Sequence, residues 1–409
     1  MGFCRIATAL AGLLGSSPAL ALADLNNDYP NQDFAECVAS IGERAVEAGV
    51  SVDTVHTHLE QVSFVDRVIE LDRAQPEFTS TFADYFDRRV TERRVERGRE
   101  LLAEHRPLLE NLAAEYGVPP QYLVAFWGLE TNYGSFTGGM GVLDSLATLA
   151  CDGRRGAYFS QELIEALHIV DDDQIEIDRM QGSWAGAMGF VQFMPSIFRR
   201  YAVDHDGSGR RDLWTSTADA MASAANFLRA LGWDRGYRWG REVTLPADFP
   251  YREIGRENRR PLADWREMGV TTAWEHPLPD ADIDAAILLP AGHEGPAFLV
   301  YENFDVIMGW NRSEFYALTV GHLADRIEGA GELRRSPPAD APRLSRDQII
   351  SVQKRLNAKG FISGTPDGIA GPMTRRAISH YQQANDMVPD GFLSSELLSR
   401  LDVDVDEPG

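Results

Sequence analysis

The sequence predicts a mainly α-helical protein that includes a small accessory α/β region and ends in a separate three-helix module. Three observations carry this expectation. Apolar residues recur at helical spacing through Val95, Leu101, Leu102, Leu108, Leu109, Leu112 and Ala113, amid many Arg and Glu, as on an amphipathic helix. The stretch from Thr244 to Pro290 is richer in Pro, Asp and aromatic residues. Its short apolar runs, such as Ala285-Ala286-Ile287-Leu288-Leu289, suit a small sheet. Ser336-Pro337-Pro338-Ala339-Asp340-Ala341-Pro342 has no apolar period and marks a linker over 331–343.

Taken in order, residues 1–23 read as a signal peptide. Arg5 gives a positive start, Ile6 to Leu22 are almost wholly apolar or small, and Ala21-Leu22-Ala23 offers a cleavage site after Ala23. The alternative is a buried N-terminal helix. Cys4 precedes the apolar run and is badly placed to become a lipidated terminus. No other stretch has the apolar length of a membrane span. After cleavage Cys37 and Cys151 remain, a pair expected to form a disulfide in an oxidising compartment, with two buried thiols as the alternative. The domain expected over 24–330 is mainly helical. Gly117-Val118-Pro119-Pro120 interrupts the pattern, and the prolines suit the start of the next helix. Another helix is expected from Thr217 to Leu231, ended by Gly232.

The C-terminal module is expected over 344–402. Ile349, Ile350, Val352 and Leu356 mark its first helix and Thr374 to Ala384 its second, with a third short helix closing it. Asp367-Gly368 and Asp390-Gly391 mark two equivalent turns, and 403–409 form an acidic tail.

A length of 409 residues suggests two or three domains, and 44% hydrophobic with 25% charged residues allows a sizeable core. The net charge of −23 argues against nucleic acid as partner, since a phosphate backbone needs a basic face.

The sharpest chemical feature is Val124-Ala125-Phe126-Trp127-Gly128-Leu129-Glu130-Thr131-Asn132-Tyr133-Gly134. On a helix Glu130 shares a face with Leu123, Phe126 and Trp127. A carboxyl group there loses hydration, and its pKa should rise toward that of a general acid. The plain alternative is a Glu paired with an Arg or capping a neighbouring helix. A second segment, Gly182 to Ser196, is dense in small residues and contains no Asp or Glu up to Phe198. Its small residues would let backbone approach a ligand closely, with Ser183 and Gln192 able to project inward. Tight helix packing is the plain alternative.

These two segments, with Asn303-Phe304-Asp305-Val306-Ile307-Met308-Gly309-Trp310-Asn311-Arg312-Ser313, resemble the membrane-bound lytic murein transglycosylase B family, in order over about 300 residues. The resemblance implies a lysozyme-like helical fold with a groove for peptidoglycan strands. It assigns the acid/base to Glu130, puts Ser183 beside it, and places Gln192, Asn311 and Tyr316 in the groove. Trp310 stands where the family often has another aromatic, and it joins Tyr133 among the expected sugar contacts. No lipid-attachment cysteine accompanies the likeness.

Ordinary glycosidases use two carboxylates. The nearest rivals in sequence, Glu162 and Glu165, lie on a helix-like stretch with at least one on its surface. A single-carboxylate site suits substrate-assisted cleavage, and the resemblance implies the same, with 1,6-anhydromuramic acid as product and no cofactor for the chemistry. A muramidase-type hydrolase and a non-catalytic wall-binding protein are the competing expectations.

Asp204-His205-Asp206-Gly207-Ser208-Gly209-Arg210 opens like an EF-hand loop, with side-chain oxygens at Asp204, Asp206 and Ser208 and the Arg210 carbonyl. Its twelfth position is Thr215 and not Glu, so Asp219 is the expected remaining ligand of a structural Ca²⁺. The resembling family carries a variant loop of this kind, and a metal-free Asp/Gly turn is the alternative. Val352 to Asn357, Gly360-Phe361, Asp367 to Pro372, Thr374, Tyr381-Gln382 and Asp390-Gly391 resemble a three-helix peptidoglycan-binding domain. Together these features imply an exported protein of the Gram-negative periplasm, acting on peptidoglycan in the setting of a cell-wall remodelling complex.

Overall fold

The computed structural model describes residues 34–73, 80–173 and 175–404. The signal peptide at 1–23 and residues 405–409 of the acidic tail lie outside the described residues. Helices dominate, and among the described residues none is long and apolar enough to cross a membrane.

The central helix, Pro120–Thr131, buries every residue from Tyr122 to Gly128. A helix apolar on all faces belongs inside a core, and here Glu92–Glu104, Arg106–Tyr116, Thr217–Ala230 and Glu314–Glu328 pack around it. Pro119 and Pro120 open it, and Gly117 in the left-handed region (φ 83°) ends the helix before it. The helical period through 95–113 is divided between two helices that meet at His105. Pro107 explains the break: inside one continuous helix its ring would clash with a preceding carbonyl, whereas in a first turn it is tolerated. The helix expected over 217–231 forms as Thr217–Ala230, capped by Ser216, with Gly232 just beyond at φ 101°.

The accessory sheet is larger than its sequence suggested. Five antiparallel strands lie in the order Arg260–Pro261, Asp284–Leu288, Ala297–Val300, Gly240–Thr244 and Thr271–Thr272. Ala297–Val300, beyond the expected limit at Pro290, is its central strand. Alternation along the strands divides two cores. Ala286, Leu288, Phe298 and Val300 face the large helical core, while Ala285, Ile287, Ala297 and Leu299 face a smaller one with Trp265 and Phe249. The sheet is thus a wall shared by two apolar layers.

A third core, around Val352, Leu356, Ile378, Tyr381 and Leu397, belongs to the C-terminal module of helices Arg346–Ala358, Pro372–Ala384 and Ser395–Arg400. The segment expected to be a plain linker is anchored. Glu242 accepts the backbone N–H groups of Arg334 and Arg335 at 2.8 and 2.9 Å, and Arg343 forms a two-point ion pair with Asp84, each contact 2.7 Å. Arg375 of the module pairs with Glu314 at 2.7 Å.

Cys37, on the first helix (Phe34–Glu47), is bonded to Cys151 at the end of Val142–Cys151, across a sequence separation of 114. A crosslink closing so long a loop restricts the unfolded chain strongly, so Cys37→Ser with Cys151→Ser is expected to cost about 2–5 kcal/mol. Urea unfolding of the oxidised parent and the double variant measures it.

Candidate active site

Glu130 sits in the last turn of Pro120–Thr131, and the chain just beyond Thr131 fixes its direction. Asn132, Tyr133 and Gly134 are all left-handed, with φ of 48°, 61° and 77°. Tyr133 turns back over its own helix, where a Cβ on Gly128 would lie 2.7 Å from its ring. Thr131 donates to the Phe190 carbonyl at 2.8 Å, joining the helix end to the Gly182–Ser196 segment.

The Glu130 carboxyl lies against a cluster of rings. Phe126 packs on Trp310 with centroids 4.4 Å apart, and Trp310 also contacts Phe193 and Phe227 at 5.4 and 5.3 Å. Trp310 Nε1 donates to Glu130 Oε1 at 3.0 Å, and the Tyr316 hydroxyl donates to the same oxygen. Among the described residues Oε2 has no hydrogen bond, so it is the unpartnered oxygen of the carboxyl. Glu130 as a residue keeps partial exposure. Its pKa is raised to about 7: burial pushes it up, and the bonds from Tyr316 and then Trp310 favour the charged form and offset part of the rise. Among the described residues no second carboxylate contributes to that shift. The Tyr316 hydroxyl stays protonated, raised well above its usual range by burial first and by Glu130 second.

Between the short strand Gln181–Gly182 and the helix Pro195–Tyr201 the segment is irregular. Ser183 and Ala187 bond reciprocally around a turn, and Met188 pairs with Phe193. The glycines serve this path: Gly186 (φ 85°) and Gly189 (φ 69°) are left-handed, and a Cβ on either would lie 2.5 Å from Leu146 or the Leu213 carbonyl. Turn geometry and packing therefore account for glycines that the sequence suggested were there for a ligand.

Ser183 Oγ accepts from Ala187 N–H at 3.1 Å, which leaves its O–H proton free; no hydrogen bond joins it to Glu130. Gln192 spends its Nε2 on the carbonyls of Thr137 and Gly189, at 2.9 and 3.0 Å, leaving Oε1 as its free group. Asn311 is exposed, and its Oδ1 caps Ser313 N–H at 3.1 Å. Two expected sugar contacts have their hydroxyls engaged within the protein. Tyr133 commits its hydroxyl to the Arg94 carbonyl at 2.7 Å and packs on Trp127, so that hydroxyl holds the scaffold. Tyr316 is buried and acts on Glu130. Sequence reading missed Trp310 as a donor to the carboxyl, because nothing local signals a bond to a residue 180 positions away. Of the rival carboxylates, Glu162 is buried as a cap for Ser196, accepting its N–H at 2.9 Å and hydroxyl at 2.7 Å. Glu165 pairs with Arg199 at 2.7 Å. Neither faces Glu130.

In the acidic loop, oxygens of Asp204, Asp206 and Asp219 lie within 4.8 Å of one another, a spacing that suits one cation bound at about 2.3–2.6 Å. Asp219 is fully buried and organises the loop, accepting from the N–H groups of His205, Asp206 and Asp212. Ser208 Oγ donates to the Arg210 carbonyl at 3.2 Å, so these two expected ligand oxygens face each other. Asp212, at the ninth position counted from Asp204 and absent from the expected ligands, accepts the N–H groups of Trp214 and Thr215 at 2.9 and 2.8 Å.

The raised Glu130 pKa has a stability consequence with a definite sign. Between the unfolded value near 4.5 and the folded value near 7, the folded chain holds a proton that the unfolded chain has lost. Parent stability therefore falls through this window as pH rises and levels off above it. Glu130→Gln is expected to be nearly neutral at pH 4 and stabilising at pH 8, as measured by urea midpoints.

Comparison with known proteins accords with this geometry. The transglycosylase SLT domain family matches residues 33–325, and a peptidoglycan binding domain family matches residues 345–401. Membrane-bound lytic murein transglycosylase B of Escherichia coli K12 is 31% identical over 320 residues, covering 76% of this chain and 87% of that protein. The crystal structure of SltB3 from Pseudomonas aeruginosa in complex with NAG-anhNAM-pentapeptide superposes with a TM-score of 0.88 at 42% identity, covering 91% of this chain and all of that one. The Escherichia coli lytic transglycosylase Slt35 in complex with calcium gives a TM-score of 0.63 at 29% identity, covering 75% and 98%. With one family spanning most of the chain and a wall-binding family covering its end, the chain belongs to the SLT-domain lytic transglycosylases, with a lysozyme-like fold and a C-terminal peptidoglycan-binding domain.

Proposed function

We propose that this chain cleaves the β-1,4 bond between N-acetylmuramic acid and N-acetylglucosamine of peptidoglycan, with Glu130 as the single acid/base and 1,6-anhydromuramic acid as the product. One observation carries the reading: a solitary carboxyl that holds its proton near neutral pH, with one oxygen pinned and the other unpartnered. Glu130 gives its proton from Oε2 to the glycosidic oxygen as the C1–O bond breaks. The N-acetyl carbonyl of the muramyl unit supports the cation developing at C1, replacing the second carboxylate of ordinary glycosidases. Glu130, now a carboxylate, takes the proton of the muramyl 6-hydroxyl as O6 bonds C1. The proton that Glu130 gave leaves on the 4-hydroxyl of the departing N-acetylglucosamine, Glu130 is reprotonated from O6, and no water is consumed. The free O–H of Ser183, Oε1 of Gln192 and amide of Asn311 orient the sugars, while Trp310 and Tyr316 position the carboxyl. The anhydro sugar in the Pseudomonas complex supports this product.

The calcium complex of the Escherichia coli relative supports the acidic loop as a Ca²⁺ site here, held by Asp204, Asp206 and Asp219 with oxygens from the Ser208–Arg210 turn. The ion would brace the loop before the helix Thr217–Ala230 and takes no part in the chemistry. The apolar leader supports export to the periplasm, where the C-terminal domain would raise the local substrate concentration.

Digestion of sacculi followed by mass spectrometry tests the chemistry. Muropeptides ending in anhydromuramic acid are expected, and Glu130→Gln should lower their release by at least about a thousandfold; reducing ends alone would make the enzyme a hydrolase. Calcium is expected to raise the thermal midpoint of the parent and to leave Asp204→Asn with Asp206→Asn unmoved, as read by calorimetry with and without chelator.

A further inference from the structure

The C-terminal module contains the same polar clamp twice. In the first copy Gln353 donates to Asp367 Oδ1 at 2.9 Å and accepts the Gly368 N–H at 2.9 Å. In the second, Gln382 donates to Asp390 Oδ1 at 2.8 Å and accepts the Gly391 N–H at 2.8 Å. The residue after each glycine, Ile369 or Phe392, donates its N–H to the same Oδ1, both at 2.9 Å. Both glycines are left-handed, and each presses on an arginine backbone, Arg346 or Arg375, that lies seven positions before its glutamine. The two turns share all of these bonds, and Gln353 adds one to Thr374 Oγ1 at 3.0 Å.

Their surroundings differ. Asp390 is buried because the Gly292-His293 loop of the catalytic domain is seated on it. Its Oδ2 accepts the His293 N–H at 2.9 Å and meets the imidazole Nδ1 at 2.6 Å. Phe392 closes over Gly292, where a Cβ would lie 2.9 Å from the ring. The Asp367 turn has no such occupant. Asp367 is exposed, and its Oδ2 has no hydrogen bond or ion pair among the described residues. Ile369, the counterpart of Phe392, is 50% exposed, and nearby Ile362 and Met373 are 71% and 50% exposed. Single exposed apolar residues are ordinary; here Ile362 and Ile369 belong to the same loop as Asp367, and Met373 reaches that loop at Gly364, while Arg346 Nε donates to the Asp367 backbone carbonyl at 3.0 Å and leaves Oδ2 without a bond.

We propose that the Asp367-Gly368 turn is a ligand site of the module, which takes an amide N–H of peptidoglycan on Asp367 Oδ2 and covers the adjoining surface with Ile369, Ile362 and Met373. The occupied turn supplies the template: a backbone amide on the carboxylate, with the neighbouring residue under an apolar side chain. Peptide bonds of the stem and N-acetyl groups of the sugars both present an amide N–H beside a methyl group. One turn then holds the module to the enzyme while its twin holds the polymer. This rests on the reading of the module as a peptidoglycan-binding domain.

The test uses the full chain with benzoylphenylalanine replacing Ile362 or, separately, Glu396, irradiated on insoluble sacculi. Glu396 pairs with Arg400, which reaches Asn385 beyond the far end of the helix whose first turn, at Thr374, touches the Asp367 loop, about 15 Å away. Crosslinking at 362 is expected, and Asp367→Asn, which keeps the Oδ1 acceptor but puts a donor in place of Oδ2, should reduce it about tenfold. Suppression by peptide-free glycan assigns the amide to the N-acetyl group, and suppression by free stem peptide assigns it to the peptide; either supports the site. Crosslinking at 396 alone, or a signal at 362 that neither Asp367→Asn nor either competitor reduces, overturns it. Crosslinking at neither position overturns the underlying reading of the module, and the proposal with it.

Discussion

A carboxyl group placed against aromatic rings would normally give up its charge altogether, and one offered two good donors would normally keep it. Glu130 is held between these tendencies. Burial beside Phe126 and Trp310 raises its pKa, and the bonds from Tyr316 and Trp310 return part of that rise, so that the group changes protonation near pH 7. A group that must donate a proton and then recover one works best at such a balance. Because both donors use Oε1, the unpartnered oxygen is also chosen. Trp310 therefore serves twice, its ring removing water and its N–H limiting the consequence.

Much of the surrounding structure keeps those two donors in place. They arrive from elements remote in sequence, Glu302–Trp310 and Glu314–Glu328, and the second helix begins with the Ser313 cap on Tyr316 N–H. Phe315, beside Tyr316, packs against Phe82, which in turn meets Phe298 on the central strand of the sheet. The accessory sheet thus backs the active-site helix from a distance. The C-terminal module also reaches this helix, since Arg375 pairs with Glu314 in its first turn. Isolated surface pairs contribute little stability, but this one joins two further domain contacts, Arg343 with Asp84 and His293 with Asp390, that fix the module in one pose.

How much was legible in the sequence depends on how local each signal is. An apolar stretch with one carboxylate and proline at its start is written within a short run of chain, so the helix could be read directly; the role expected of Glu130 rested on the family resemblance, since the run alone also fits a structural Glu. The Asp-Gly turns were equally local, and their equivalence emerged from spacing alone. Roles that depend on distant partners were not readable. Trp310 looked like a stacking platform and is a donor to Glu130; Tyr133 looked like a sugar contact, yet a backbone carbonyl on another helix claims its hydroxyl. The strand Ala297–Val300 is buried on both faces and too short to show alternation, which is why the sheet seemed to stop early. Asp212 stands at the ninth position of the loop counted from Asp204, a ligand position in the standard spacing, but its side chain is taken by the Trp214 and Thr215 N–H groups and the Thr215 hydroxyl, partners that the spacing does not announce.

The central claim concerns the protonation of one side chain, and it can be observed without substrate. Selective ¹³C labelling of glutamate side chains, with Glu130→Gln used to assign the resonance, permits direct NMR titration of the Glu130 carboxyl in the folded chain. A midpoint near pH 7, moving upward when Tyr316 is replaced by Phe, is the expected result. A midpoint near 4.5, unmoved by that substitution, would show that the pocket does not hold the proton and would contradict the account.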